Sequence, residues 1–423
     1  MADRFTAQKQ AYARLIINAG VNLRKGQGVY IQAELGHRDF VRLLTKEAYA
    51  AGAKMVMADW RDPLMDRERY LSVADEYLEY LPDFVEIRAR EMIDDDWVRI
   101  ALTGDEYPDA YDGVDPARMR RQRSAAAKRL RPITQRIMNN EISWCVAGVP
   151  VVPWAQKVFP DLDPQAALDK LWELVLQVVR ADQPDPVAAW QQHDANLKKV
   201  PAFMDRNQVR AIRYLDEKPG PDGKASTDLT VGLTAQPAWS CGSAINSKGL
   251  PFLANIPTEE IFTTPHRDRV TGWVRTSKPG FPFDSELLNA YFRFEDGLVV
   301  EWDAVKGRDL LDQLFEMEGA RQLGETSLVD VRSPINQAGV IFHDTLFDEN
   351  AASHIAFGRG YPEGIKDGNQ MSAEEVVALG LNNSDAHQDL MIGTDTMKVI
   401  GIRADGNEVL IMQDGMFVDD VLA

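Results

Sequence analysis

Four of the chain's six histidines, His266, His343, His354 and His387, fall in its second half among acidic residues. Imidazole mixed with carboxylate is a donor set for a divalent cation. Residues 345–361 read TLFDENAASHIAFGRGY, with Glu349 five positions before His354 and Asp348 beside it. The small Ala351, Ala352 and Ser353 between them let backbone pack closely around a site. A helix N-terminus with a capping acid gives the same pattern, so the segment alone leaves both readings open. Residues 384–393, SDAHQDLMIG, set His387 and Asp389 two apart on a strand-like run, where such positions share a face. That pair suits a shared ion, or the polar face of an edge strand; the apolar LMIG that follows reads as buried. Two further acidic elements complete the set. NIPTEEIFTT (255–264) places Glu259 and Glu260 after a proline turn, and EGARQLGETSLV (318–329) sets Glu325 after a glycine among apolar neighbours. A buried carboxylate is costly unless paired or bound to metal, and several converging with histidines point to metal chemistry. His37 and His193, in the first half, stand in no such pattern and read as ordinary surface or core residues.

The elements that must position these groups differ between the two halves. In the first, strand patterns at 27–35, 54–60, 96–103 and 143–152 alternate with helical ones at 38–51, 65–78, 83–93, 118–131, 164–180 and 187–206. Such alternation implies an α/β domain with a mainly parallel sheet covered on both faces. The 118–131 helix carries six arginines and Lys128, which suits a polyanion site or, the plainer reading, a solvated face pairing with the chain's own acids. Residues 217–224, EKPGPDGK, read as a surface loop. From about residue 208 short β-type runs are punctuated by the turns EDG, ADG and GNE. The expected division is therefore an α/β domain over 1–207 and a β-rich α+β metal-binding domain over 208–423.

Bulk properties exclude several classes. At 423 residues, one core is less usual than two domains. A net charge of −18 disfavours nucleic acid or anionic membrane as partner, while drawing cations to any acidic cleft. Two cysteines, Cys145 and Cys241, exclude a disulfide framework and a four-thiolate zinc site. The start, MADRFTAQKQAYARLII, lacks an apolar signal core, and no run reaches the roughly 18 apolar residues of a membrane span. The cytoplasm is the expected address. No G-x-G-x-x-G or P-loop marks the first half as a nucleotide site.

With these segments in place the chain resembles peptidase family M29, the thermophilic aminopeptidase family that includes aminopeptidases T and S. NIPTEEIFTTPHRDRVTG, ARQLGETSLV, TLFDENAASHIAFGRGY and AHQDLMIG lie in the family's order and at closely matching intervals. The four blocks together are specific. One departure is TMKV at 396–399, where relatives tend to be more acidic, and it bears on local loop contacts only. The resemblance implies metal ligation by Glu259, Glu325, Glu349, His354, His387 and Asp389, with Glu325 bridging two ions, and a site tyrosine at Tyr361. It also implies two divalent ions per chain (zinc, cobalt, manganese or magnesium) in a homodimer that encloses its catalytic chamber. The implied activity is removal of amino-terminal residues from peptides with a free N-terminus, by water that the paired ions activate.

Within that reading Glu260 is the candidate general base, its alternative being a structural acid beside the ligands. Tyr361 is placed to hydrogen-bond an oxyanion. His266 and His343 are expected to orient ligands or satisfy carbonyls. Competing functions are a dinuclear amidase of non-peptide amino-acid conjugates and a non-catalytic, metal-stabilised binding protein. A purely structural site has four ligands and no open position, which the larger implied set argues against.

Overall fold

A computed structural model describes residues 4–220, 223 and 225–423. Its contacts divide the chain into two compact units. One holds the chain up to Gln191 with Ser243–Pro257 and Val340–Leu346; the other holds Gln192–Gly242, Thr258–Gly339 and Phe347–Ala423.

The first unit is α/β, as expected. Its sheet runs in the order Asn255–Ile256, Trp144–Gly148, Val98–Thr103, Gly28–Glu34, Met55–Arg61, and every pairing is parallel. Val29, Ile31, Ala33 and Ile100 are buried on the strands, and Phe40, Val41, Leu44 and Ala48 form a buried stripe on the helix Arg38–Ala50. Tyr12, Phe40 and Trp172 join these helices through ring contacts at 5.2 and 5.9 Å. Local chemistry moved three expected boundaries. The helix expected over 65–78 is Pro63–Ser72, started by Asp62 accepting the Leu64 N–H and by Pro63 in the first turn. A separate short turn, Asp75–Tyr77, follows. The strand expected over 143–152 stops at Gly148, because Val152 opens the helix Val152–Val158. The helix expected over 187–206 is two, Pro186–Leu197 and Lys199–Arg206.

The cationic helix, Pro116–Met138, takes the plainer of its two readings. Arg118 pairs with Asp75, Arg121 with Glu79, Arg129 with Asp83 and Glu86, and Arg136 with Asp94 and Glu141. Among the described residues no helix is long and apolar enough to cross a membrane.

The second unit is built on two antiparallel sheets. The larger has eight strands in the order Leu298–Asp303, Tyr291–Glu295, Pro265–Arg275, Ala225–Leu233, Val209–Pro219, Lys398–Arg403, Glu408–Gln413, Met416–Phe417. The EDG turn closes its Tyr291–Glu295 hairpin with Asp296 and Gly297 both in left-handed backbone. Glu217, Lys218 and Pro219, expected in a loop, extend a strand of this sheet, and residues 221, 222 and 224 of that expected loop lie outside the described residues. The smaller sheet has the order His387–Met391, His354–Gly358, Leu323–Val329, Glu260–Thr263, Ser240–Cys241. A large core runs through the unit, with a smaller one at Ile365, Val376 and Leu381. Phe357 stacks on Phe294 at 5.9 Å and meets Phe292 and Phe315 at 4.9 and 5.2 Å.

Candidate metal centre

Four neighbouring strands of the smaller sheet carry Glu260, Glu325, His354, His387 and Asp389. Their register decides the face. Ala356 lies between Glu325 and Asp389, Ser327 stands opposite His354, Gly358 opposite His387, and Val329 opposite Glu260. Side chains alternate along a strand, so the five groups project from one face. Ser327, Ala356 and Gly358 between them are small and leave room above the sheet. The intervening residues Ile261, Leu328, Ile355, Phe357 and Leu390 point the other way, into the core. Gly358 has φ +95°, and a Cβ there would lie 2.2 Å from the Ala386 carbonyl oxygen, so only glycine suits that turn of the strand.

The gathered atoms are close. His354 Nε2 lies 3.3 Å from Glu260, 3.4 Å from Glu325 and 4.0 Å from Asp389. His387 Nε2 lies 3.5 Å from Asp389 and 3.9 Å from Glu325. The donors fall into two groups, Glu260–Glu325–His354 and Glu325–His387–Asp389, each within 4.8 Å, with Glu325 common to both. The opposite ring nitrogens face carbonyls: His354 Nδ1 is 3.2 Å from Ala352 O and His387 Nδ1 is 2.9 Å from Arg359 O. A carbonyl only accepts, so Nδ1 carries the hydrogen and Nε2 is left to face a cation. Ser327 Oγ donates to Glu260 at 3.1 Å and holds that carboxylate in place.

Burial followed by the charges of Glu260 and Asp389 pushes the Glu325 carboxyl up to about 7, against a lowering hydrogen bond from His354. Burial and then Glu260 and Asp389 raise Glu349 well above the carboxylate range. Burial alone would lower both histidines; hydrogen bonds to Glu260 and Glu325 outweigh it for His354, and Asp389 lifts His387 to about 9. Asp389 is lowered, because His387 and His354 outweigh its burial. Acids in excess over imidazoles in a desolvated cluster form an anionic hollow. Its donor set fits divalent cations, whose charge offsets what the acids cannot offset among themselves.

The remaining expected residues are placed differently. Glu349 belongs to neither close group but lies within the field of the same acids. The Tyr361 ring is 4.9 Å from the His387 ring, and burial and the charges of Glu325 and Asp389 raise its phenol. Glu259 is directed elsewhere: its carboxylate is 3.5 Å from His193 Nε2, and its N–H donates to Asn350 Oδ1 at 2.7 Å. Glu260 opens the strand of the sheet and Glu259 precedes it, and of the two Glu260 stands in a close donor group. His266 accepts the Asp268 N–H through Nδ1. Glu363, which the sequence reading passed over, also belongs here: burial and then Glu325 and Glu260 push it up to about 7. Its only signal was position, two residues past Tyr361 in a Pro-Glu-Gly turn.

The chain is similar to known proteins along nearly its whole length. The profile of the thermophilic metalloprotease family (M29) matches residues 5–417. Aminopeptidase AmpS of Bacillus subtilis is 38% identical over 414 residues, 98% of this chain and 99% of that protein. Aminopeptidase T of Thermus aquaticus is 38% identical over 418 residues, 98% of this chain and all of that protein. The solved structure of wild-type AmpT from Thermus thermophilus superposes with a TM-score of 0.89 at 35% identity, covering 98% of this chain and 100% of that one. By sequence along nearly its whole length and by fold, the chain belongs to the thermophilic metalloprotease family M29.

Proposed function

We propose that the protein is an aminopeptidase that removes amino-terminal residues from peptides with two divalent cations held by the smaller sheet of its second unit. The carrying observation is the convergence of Glu260, Glu325, His354, His387 and Asp389 into two donor groups that share Glu325. Full-length relatives named aminopeptidases support the peptide substrate. Divalent cations in such a set act as Lewis acids and make water nucleophilic near neutral pH. In this reading Glu325 is the shared ligand, His354 and Glu260 serve one cation, and His387 and Asp389 the other. Glu260 takes the ligand place expected of Glu259, and Glu259 orients its surroundings through His193 and Asn350. Glu349 completes the acidic wall. Tyr361 donates its phenolic hydrogen to the oxygen that gains charge in the transition state. With Glu260 taken up as a ligand, the proton acceptor falls to Glu363, whose glutamine variant should keep its metal content yet lose kcat.

The reading extends to a homodimer, a cytoplasmic address and zinc, cobalt, manganese or magnesium as the ions. In this reading the catalytic stretch is placed in the domain expected over 208–423; the compact unit that holds the donors begins at Gln192 and leaves out Ser243–Pro257 and Val340–Leu346. Glu325→Gln should lower kcat by about 10²-fold or more and weaken metal binding; full turnover in that variant refutes the shared-ligand role. Peptides with free and acylated amino termini separate an aminopeptidase, which cuts only the former, from an amidase of other conjugates.

A further inference from the structure

A parallel sheet covered on both faces is normally apolar on both. One face of the first unit's sheet conforms, with Val29, Ile31, Ala33 and Ile100 buried. The other does not. Alternation and register put Tyr30 beside Arg99, Gln32 beside Asp59, and Glu34 beside Arg61 on that face. Over it the helices Asp83–Asp94 and Pro116–Met138 leave a cavity of about 360 Å³. Its walls are largely apolar, including Val85, Ala89, Met92, Ile93, Ile133 and Ile137, its floor carries Tyr30, Gln32, Asp59, Arg61 and Arg99, and Arg88 reaches it from the helix Asp83–Asp94.

The charges of this floor do not balance. Arg88 Nη2 pairs with Asp59 at 3.1 Å, and Tyr30 donates its hydroxyl to the same carboxylate. Arg99 is held by a neutral acceptor: Gln32 Oε1 takes its Nε–H at 2.8 Å and a second hydrogen from Nη2. Among the described residues neither Arg99 nor Arg61 stands in an ion pair. Glu34, the register neighbour of Arg61, accepts the Glu106 N–H at 2.7 Å and does not line the cavity. Burial and then Arg61 lower the Arg99 guanidinium. Arg88, Arg99 and Arg61 therefore stand beside Asp59 alone among the carboxylates that line the cavity, with Glu34 acting on Arg61 from outside it. An apolar hollow left open to water forgoes burial, and a half-buried guanidinium with only a neutral acceptor costs stability; packing alone gives no reason to keep both. Polar residues on an otherwise apolar sheet face mark a place where folding rules yield to binding.

We propose that this cavity binds a small organic anion, a carboxylate or phosphate head on an apolar body, with Arg99 and Arg61 receiving the head and the two helices enclosing the body. Its volume lies in the range of small-molecule sites and, at about 30 Å³ per water-sized group, admits on the order of ten non-hydrogen atoms. None of its lining residues is among the metal-centre donors.

Calorimetric titration of the full chain with phenylacetate, phenyl phosphate and neutral phenylacetamide tests the proposal. At least one anion should bind with a Kd below about 1 mM, and the amide should not; the tighter of the two anions identifies the head group. Arg99→Gln should weaken that binding by about tenfold or more, and Ala89→Phe, which fills the void and leaves the arginines, should abolish it. Both variants should hydrolyse an amino-acid anilide at the parent rate. If Arg99→Gln does not fold, Arg61→Gln, at an exposed side chain of the same floor, carries the same expectation. Absence of anion binding, equal binding of the amide, or unweakened binding in either variant overturns the proposal.

Discussion

Glu259 and Glu260 are chemically identical and adjacent, yet only one reaches the cluster. Nothing in TEE ranks them, because the choice depends on which pleat of the Glu260–Thr263 strand faces the site. The distinction is measurable. Glu260→Gln should lose metal and lower kcat by about 10-fold or more, whereas Glu259→Gln should keep its metal, with a smaller loss from the weakened contact to His193. Metal analysis of both variants at equal protein concentration decides it; the reverse order returns Glu259 to the ligand set. Tyr361→Phe should lower kcat with unchanged metal content, and loss of metal there would make Tyr361 a support for His387 instead. His387 and Asp389 were legible together because a two-residue interval in a strand fixes a shared face. Glu363 was not, since a turn has no period from which a direction follows. The His193–Glu259 contact spans 66 positions and no local pattern foretells it.

At the scale of elements, the strands that carry the candidate donors depend on backbone that tolerates no side chain at Gly358. Gly358→Ala should lower thermal stability by about 1 kcal/mol or more and reduce metal content, because His387 stands opposite that position across the ladder and His354 lies on the same strand. Unchanged melting and metal would show that the strand relaxes freely. A second element-scale consequence belongs to the first unit. His37, 1% exposed, donates from Nε2 to Gly104 O at 2.8 Å and accepts the Glu34 N–H at Nδ1. Both nitrogens are engaged in the neutral form, and burial, against the Gly104 bond, lowers its pKa from 6.5 to about 4. A base whose folded pKa is depressed contributes its full stability above the unfolded value and loses it as pH falls from 6.5 toward 4. At pH 5 the loss is about 2 kcal/mol. Urea unfolding at pH 7 and pH 5 should show that difference shrinking in His37→Gln; an equal drop in both proteins refutes the assignment. The strands and most helices were legible from periodicity. The boundaries that moved did so at prolines and caps, where a single side chain overrides a run of propensity.

For the whole molecule, the donors of the candidate centre stand on a sheet whose other face is the core of the second unit. Chelation should therefore abolish turnover while the far-ultraviolet circular dichroism stays that of a folded chain. The two-part character of the chain was visible in its texture. The return of Ser243–Pro257 and Val340–Leu346 to the first unit was not, since a segment of two strand residues such as Asn255–Ile256 carries too little pattern to announce its partner. Because the donors are rooted on adjacent strands, their lateral pitch is that of the hydrogen-bonded ladder, about 4.8 Å, and side-chain torsions adjust it only slightly. Cations of different radius must occupy one fixed lattice of oxygens and nitrogens. Exchange of one metal for another should then alter turnover through bond length and acidity while the scaffold keeps its dimensions.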